Sequence, residues 1–178
     1  MPSFSIVNTT GNLTAGAAQS AITTTYKTQI ITFNSTTAAG AVTALRRGRL
    51  YDILVGTNSA PVDAFMEWDV QRITGGVTTS TLGSLSSVSS LAALDTADNT
   101  GAGSQIAINS SVETDRTNGT EVFYVGVNTR ASYRWVAAPG SEIVWPANAS
   151  NVTTNGLAGR ARSGSYTGTA TMNWLFIE

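Results

Sequence analysis

An all-β fold, an antiparallel two-sheet sandwich wound in jelly-roll fashion, is predicted by three observations. Short runs of Thr, Val, Ile and aromatic residues recur along the 178 residues, broken by Gly, Asn, Ser and Pro. Several runs alternate apolar and polar residues with period two, which puts one side of each strand against a core. Helical spacing is confined to one long Ser-rich insertion, and no internal repeat points to a solenoid or propeller. The length suits one domain. Residues 1–20 read as an N-terminal strand or arm, and residues 21–178 as a single sandwich domain.

Thr9–Ser20 is small and polar, the composition of an arm or loop. A strand is predicted from Ala21 to Phe33, with Ile22, Tyr26 and Ile30 marking its pattern. Gly40–Arg47 and Leu50–Gly56 read as two strands meeting at an Arg47-Gly48-Arg49 corner. The clearest strand is Val62–Thr74, where Met66, Trp68 and Val70 share the core face. Glu67, Asp69 and Gln71 share the other face, which reads as polar and solvated. Glu121–Asn128 and Ala131–Ala137 form a second clear pair. In the latter, Tyr133 and Trp135 point inward while Arg130, Ser132 and Arg134 point outward. The last strand, Ser165–Glu178, turns Tyr166, Ala170, Met172, Trp174 and Phe176 inward.

Between Gly83 and Gly103 the rhythm breaks. Leu82, Leu85, Val88, Leu91 and Leu94 fall three residues apart, which predicts a short helix or 3₁₀ turns. The segment is read as a cover over one end of the sandwich or as a functional loop. Trp68, Trp135, Trp145 and Trp174 are assigned mainly to the core.

Composition removes whole classes of function. There is no Cys, so disulfides and thiolate metal sites are excluded. There is no His, which removes Ser-His and Cys-His nucleophiles, the commonest general base and the usual metal ligand. No cofactor is expected. A net charge of −1 gives no field to attract nucleic acid or an anionic membrane, and neither is expected as a partner. The start, Met-Pro-Ser-Phe-Ser-Ile, lacks the basic and apolar regions of a signal peptide. Sequons such as those at Asn8 and Asn118 read as a by-product of abundant Ser and Thr.

Carboxylates are the remaining catalytic equipment. Asp63, Glu67 and Asp69 lie along one strand, and Glu121 and Glu142 are candidates to approach them, since a glycosidase needs only two carboxyls at the right separation. Charged alternation more often makes a solvated strand face, so no catalytic residue is assigned. Asp95-Thr96-Ala97-Asp98-Asn99 offers oxygen ligands of the kind calcium accepts but lacks the EF-hand register, and reads as a turn. Nine of the ten basic residues are Arg, Lys27 being the exception. Arg is enriched and Lys depleted at protein interfaces. An interface role is one reading of this bias and a coding-sequence bias is the other. The one basic cluster, Arg46-Arg47-Gly48-Arg49, reads as a contact to phosphate or to an acidic neighbour in an assembly.

Two sets of blocks carry a family resemblance. The first is Glu67-Trp68-Asp69-Val70-Gln71-Arg72-Ile73-Thr74, followed by Leu94-Asp95-Thr96-Ala97-Asp98. The second begins at Asn128-Thr129-Arg130-Ala131-Ser132-Tyr133-Arg134-Trp135-Val136-Ala137-Ala138-Pro139-Gly140. It continues through Glu142-Ile143-Val144-Trp145-Pro146-Ala147 and Asn155-Gly156-Leu157-Ala158 to Ser165-Tyr166-Thr167-Gly168. Over roughly the last two-thirds of the chain, this pattern resembles the capsid decoration, or cement, proteins of tailed bacteriophages. The resemblance implies a protein made in the host cytoplasm and carried on the outer surface of the virion head, where it clamps neighbouring major capsid subunits. It also implies a homo-oligomer, with a trimer favoured, and an arm from Pro2 to Ala18 that drapes over a neighbour. On the same resemblance, Arg46, Arg47 and Arg49, with Arg130 and Arg134, are the candidate contacts to other subunits, through paired bonds to carboxylates. Three alternatives stand beside it: a phage tail, fibre or glycan-binding protein, a carboxylate-dependent glycan hydrolase, and a jelly-roll major capsid protein.

Overall fold

The computed structural model describes residues 3–8, 19, 21–33, 47–75, 85–86, 92–93, 105–108, 117–145 and 156–177. Among them there are twelve strands and no helix. These are β1 (Ser3–Val7), β2 (Lys27–Phe33), β3 (Gly48–Thr57), β4 (Phe65–Gly75), β5 (Leu85–Ser86), β6 (Ala92–Ala93), β7 (Gln105–Ile108), β8 (Thr117–Asn128), β9 (Tyr133–Val136), β10 (Ile143–Trp145), β11 (Gly156–Arg162) and β12 (Ala170–Ile177). Sheet A runs β10-β3-β12-β1-β6, with β9 also paired to β3, and sheet B runs β5-β7-β2-β11-β4-β8. Every pairing is antiparallel. The two-sheet sandwich read from the sequence is therefore the observed architecture.

Period-two patterning explains the strands that face the core on one side. In β12, Ala170, Met172, Trp174 and Phe176 are buried and their neighbours half-buried. In β4, Met66, Trp68 and Val70 are buried in the same core. Trp68, Trp145 and Trp174 are fully enclosed, while Trp135 packs on the core's margin. The Phe176 ring stacks on Phe4 at 5.4 Å and meets Trp145 edge-on at 5.4 Å. Aromatic rings bury large areas, and these geometries suit their quadrupoles.

Polar ties join the sheets. Asn8 Nδ2 donates to Gln29 Oε1 (2.7 Å) and to the Ala170 carbonyl (3.0 Å), and its Oδ1 accepts from Met172 N (2.9 Å). Arg72, on β4, sends Nη1 to the Val144 carbonyl of β10 at 2.7 Å. Buried amides and guanidinium groups need such partners, so each tie also fixes how the sheets sit together.

Several expectations are corrected. Gly48 does not form a corner: it opens β3, and a Cβ there would lie 1.8 Å from the Trp145 ring, to which it is paired across the strands. Its small size is a clearance for indole. Residues 40–46, read as the preceding strand, lie outside the described residues. Ser3–Val7 is no draping arm but a strand of sheet A, with Phe4 and Ile6 in the core. Within the Ser-rich insertion, Leu85–Ser86 and Ala92–Ala93 are strands and not helical turns. Leu82, Val88, Leu91 and Leu94 lie outside the described residues.

The strand β11 has no counterpart in the sequence reading. It is central in sheet B and buried along Gly156–Ala161. The outward face of β4 is correspondingly solvated only in part: Asp69 is completely enclosed, while Phe65 stays exposed.

Candidate interaction surface

The candidate arginines fall mainly along one flank of sheet A. Arg46 lies outside the described residues. Arg47 is exposed just before β3, and Arg49 is exposed on β3, between the inward-facing Gly48 and Leu50. Arg134 stands on β9 opposite Leu54. It holds Asp52 with both ends of its fork, Nε at 3.1 Å from each oxygen and Nη2 at 2.5 Å from Oδ2. The pair is lopsided: the Arg134 side chain is 61% exposed and that of Asp52 only 5%. The carboxylate's hydrogen bonds, and then its charge, raise the Arg134 pKa further above its ordinary value. A planar guanidinium is thus presented to solvent in a fixed orientation.

Arg130 sits in the turn after β8, where its backbone N–H donates to Asn128 Oδ1 at 2.9 Å. Its side chain is exposed. Glu142 faces the other end of the flank, its carboxyl held below the usual range by backbone N–H groups, with a smaller contribution from Arg49. Leu54 and Val136 are also exposed between these charges. The five-residue step from Arg49 to Leu54 along β3 spans about 17 Å. The arginines therefore form a row with apolar residues between them, and not a single anion-binding cluster.

A second constellation, absent from the sequence reading, crosses the outer face of sheet B. Arg160 faces Asp69 and Arg162 faces Glu67 in the β11–β4 register. Arg160 Nε donates to Asp69 Oδ1 at 2.8 Å, and Nη2 closes a second bond to Oδ2. Arg162 reaches Glu67 Oε2 through Nε at 2.7 Å and Nη2 at 2.6 Å. Tyr26 lies against both guanidinium groups, at 4.2 and 4.6 Å, and its hydroxyl donates to Glu67 Oε2 at 3.3 Å. Burial, followed by the Asp69 charge, pushes its phenol up to about 12. The signal was present in the sequence as two opposite charge pairs with the same two-residue step, Glu67/Asp69 and Arg160/Arg162. It becomes legible only once β11 is recognised as a strand.

This arrangement fastens strands together. A general acid needs a carboxyl kept protonated by an apolar or like-charged surround, whereas each of these carboxylates faces a guanidinium. Among the other candidates, Asp63 accepts a bond from Asn128 Nδ2 at 2.5 Å. Glu142 precedes β10 and so belongs to the opposite sheet from Glu67 and Asp69. Among the described residues, no group of three or more His, Cys, Asp or Glu side chains is placed to hold a metal ion. The Asp95–Asn99 segment lies outside them. Nor is any helix among them long and apolar enough to cross a membrane.

Comparison with known proteins returns no matching family model, no matching curated protein and no matching solved structure.

Proposed function

We propose that the protein is a virion structural protein that binds the outer surface of a phage head and stabilises the lattice by clamping neighbouring major capsid subunits. The observation that carries this reading is the flank of sheet A. Arg134 is anchored by a buried Asp52 yet mostly exposed, in line with Arg49 and beside the exposed Leu54 and Val136. A preset guanidinium beside exposed apolar side chains suits a protein contact, where Arg forms paired bonds to carboxylates. A pre-oriented fork loses less freedom on binding than a free one.

The strand order supports the jelly-roll form of the sandwich often used by shell proteins. Taken in chain order, β1, β2, β3, β4, β8, β9 with β10, β11 and β12 make eight positions. Sheet A then holds β1-β12-β3-β9/β10 and sheet B holds β2-β11-β4-β8. Each sheet mixes strands from both halves of the chain, as two interlocked Greek keys require. The remaining short strands β5, β6 and β7 extend the margins beside β2 and β1.

A clamp that binds only the assembled shell stabilises it by mass action, and many weak identical contacts add through multivalency. Quantitative mass spectrometry of source virions, against the major capsid protein, tests the reading. Copy numbers approaching one per lattice site support it. A handful of copies per particle transfers the protein to a tail or fibre, and its absence from particles overturns a virion role.

A further inference from the structure

Sheet B ends in a strand that the rest of the described chain leaves open. β8 pairs with β4 alone, and no residue from Gly119 to Asn128 is buried. The other margins are short: two residues each in β5 and β6, three in β10 and four in β9, against twelve in β8. Brevity is one way proteins blunt an edge; charge, proline and bulges are others. The start of β8 has Glu121 and register shifts opposite Val70, Gln71 and Ile73. From Phe123 to Asn128 the ladder with β4 is regular, with no charge and no proline. Alternate residues of this stretch turn their N–H and C=O groups to the open side. Next to it stand the two most exposed aromatic side chains among the described residues, Phe65 at 56% and Tyr124 at 51%.

We propose that this edge is completed by β8 of a second copy of the chain, antiparallel, which joins two six-stranded sheets into one across a two-fold axis. Residue chemistry favours a second copy over an unrelated strand. A two-fold perpendicular to the sheet keeps outer faces together, so facing residues must share a face. Centring on Val125 meets this condition: Val125 faces itself, Phe123 faces Val127, and Tyr124 faces Gly126. Phe65 already lies over Gly126 of its own chain, where a Cβ would meet its ring at 2.2 Å. Tyr124 of the second copy would arrive beside that ring, gathering four exposed rings into one patch. Beyond this regular stretch, Glu121 of one copy and Arg130 of the other come to the same end of the seam. Both charged side chains are exposed, and neither has an ion-pair partner among the described residues. Phe123 also contacts Tyr133 and Trp135, at 6.3 and 5.9 Å, so the β9 edge lies on the same flank and extends the contact.

The association concerns the isolated protein and does not rest on the capsid reading. Sedimentation equilibrium of the full chain over a concentration series tests it. The expected mass is that of two 18.5 kDa chains, with amide exchange across Phe123–Val127 slowing as dimer forms. Tyr124→Lys places like charges at the two-fold and raises the dimer Kd about tenfold or more, with the circular dichroism spectrum unchanged. Glu121→Arg and Arg130→Glu each weaken association, and together restore it. A monomer at the highest attainable concentration overturns the proposal. So does an oligomer whose mass and exchange are unmoved by all three substitutions.

Discussion

Arg160 and Asp69 face each other across β11 and β4 as a two-bond ion pair enclosed on the outer side of sheet B, with 8% and 0% of their side chains exposed. Removing one partner strands a charge where water cannot reach it. Asp69→Asn is expected to cost about 3–5 kcal/mol, measured as the shift of the urea unfolding curve. Asp69→Asn combined with Arg160→Met should cost less than the sum of the two single changes, because no buried charge is left. Additive losses would show that the pair is not coupled.

Gly48 and Trp145 make a tighter test of packing. An added Cβ at Gly48 falls 1.8 Å from a rigid, fully buried indole. Gly48→Ala should destabilise by about 1–3 kcal/mol through overpacking. Gly164→Ala, where nothing lies within 4 Å of the new methyl, is the control and should leave the thermal midpoint nearly unchanged. Equal effects at both sites would mean that backbone freedom, and not the indole, sets the cost.

Arg134 and Arg49 should separate stability from binding. Arg134→Ala removes the fork that satisfies Asp52, so the urea midpoint should fall, and Asp52→Asn in the same chain should recover part of the loss. Arg49→Ala should leave the midpoint in place while reducing occupancy on purified heads. An Arg49→Ala protein that coats heads as well as the parent removes that residue from the contact.

Tyr26 predicts an alkaline weakness. Its pKa rises from 10.0 to about 12 on folding. Between these values the unfolded chain loses the phenol proton before the folded one does, so stability falls as pH rises through that window. Below pH 10 the full contribution is present. Tyr51 shifts in the same direction through burial, so Tyr26→Phe should remove only part of the loss. Urea midpoints on either side of the window measure it, and an unchanged slope with pH would discount Tyr26.

Strands that bury one side announced themselves. Met66, Trp68 and Val70 in β4, and Met172, Trp174 and Phe176 in β12, alternate with polar residues, and the period of two is local information. β11 hides because both of its faces are enclosed and its residues are Gly, Leu, Ala and Arg, which lack β-branched bulk. Gly159 is required there because Met172 Sδ and the Trp174 ring would lie 2.3 and 2.5 Å from a Cβ. That reason sits in another strand of the other sheet. The outward side of Arg134 was likewise legible from period two, but its partner was not. Asp52 meets it only through the β3–β9 register, which topology sets and local pattern does not. Tyr133, assigned to the core with Trp135, is 36% exposed because β9 is a margin strand with one neighbour.

The pairing of β1 with β12 sets an order of events for the newborn chain. Ser5 and Asn173 touch in the folded sheet yet stand 168 positions apart. At about 5–20 residues per second on the ribosome, Phe4 and Ile6 must wait roughly ten seconds or more before the strand that covers them is made. During that interval β3 also lacks the neighbour on which its Leu50, Ile53 and Val55 close. Sheet A can therefore be completed only after β12 has been made, with its longest loop closing last.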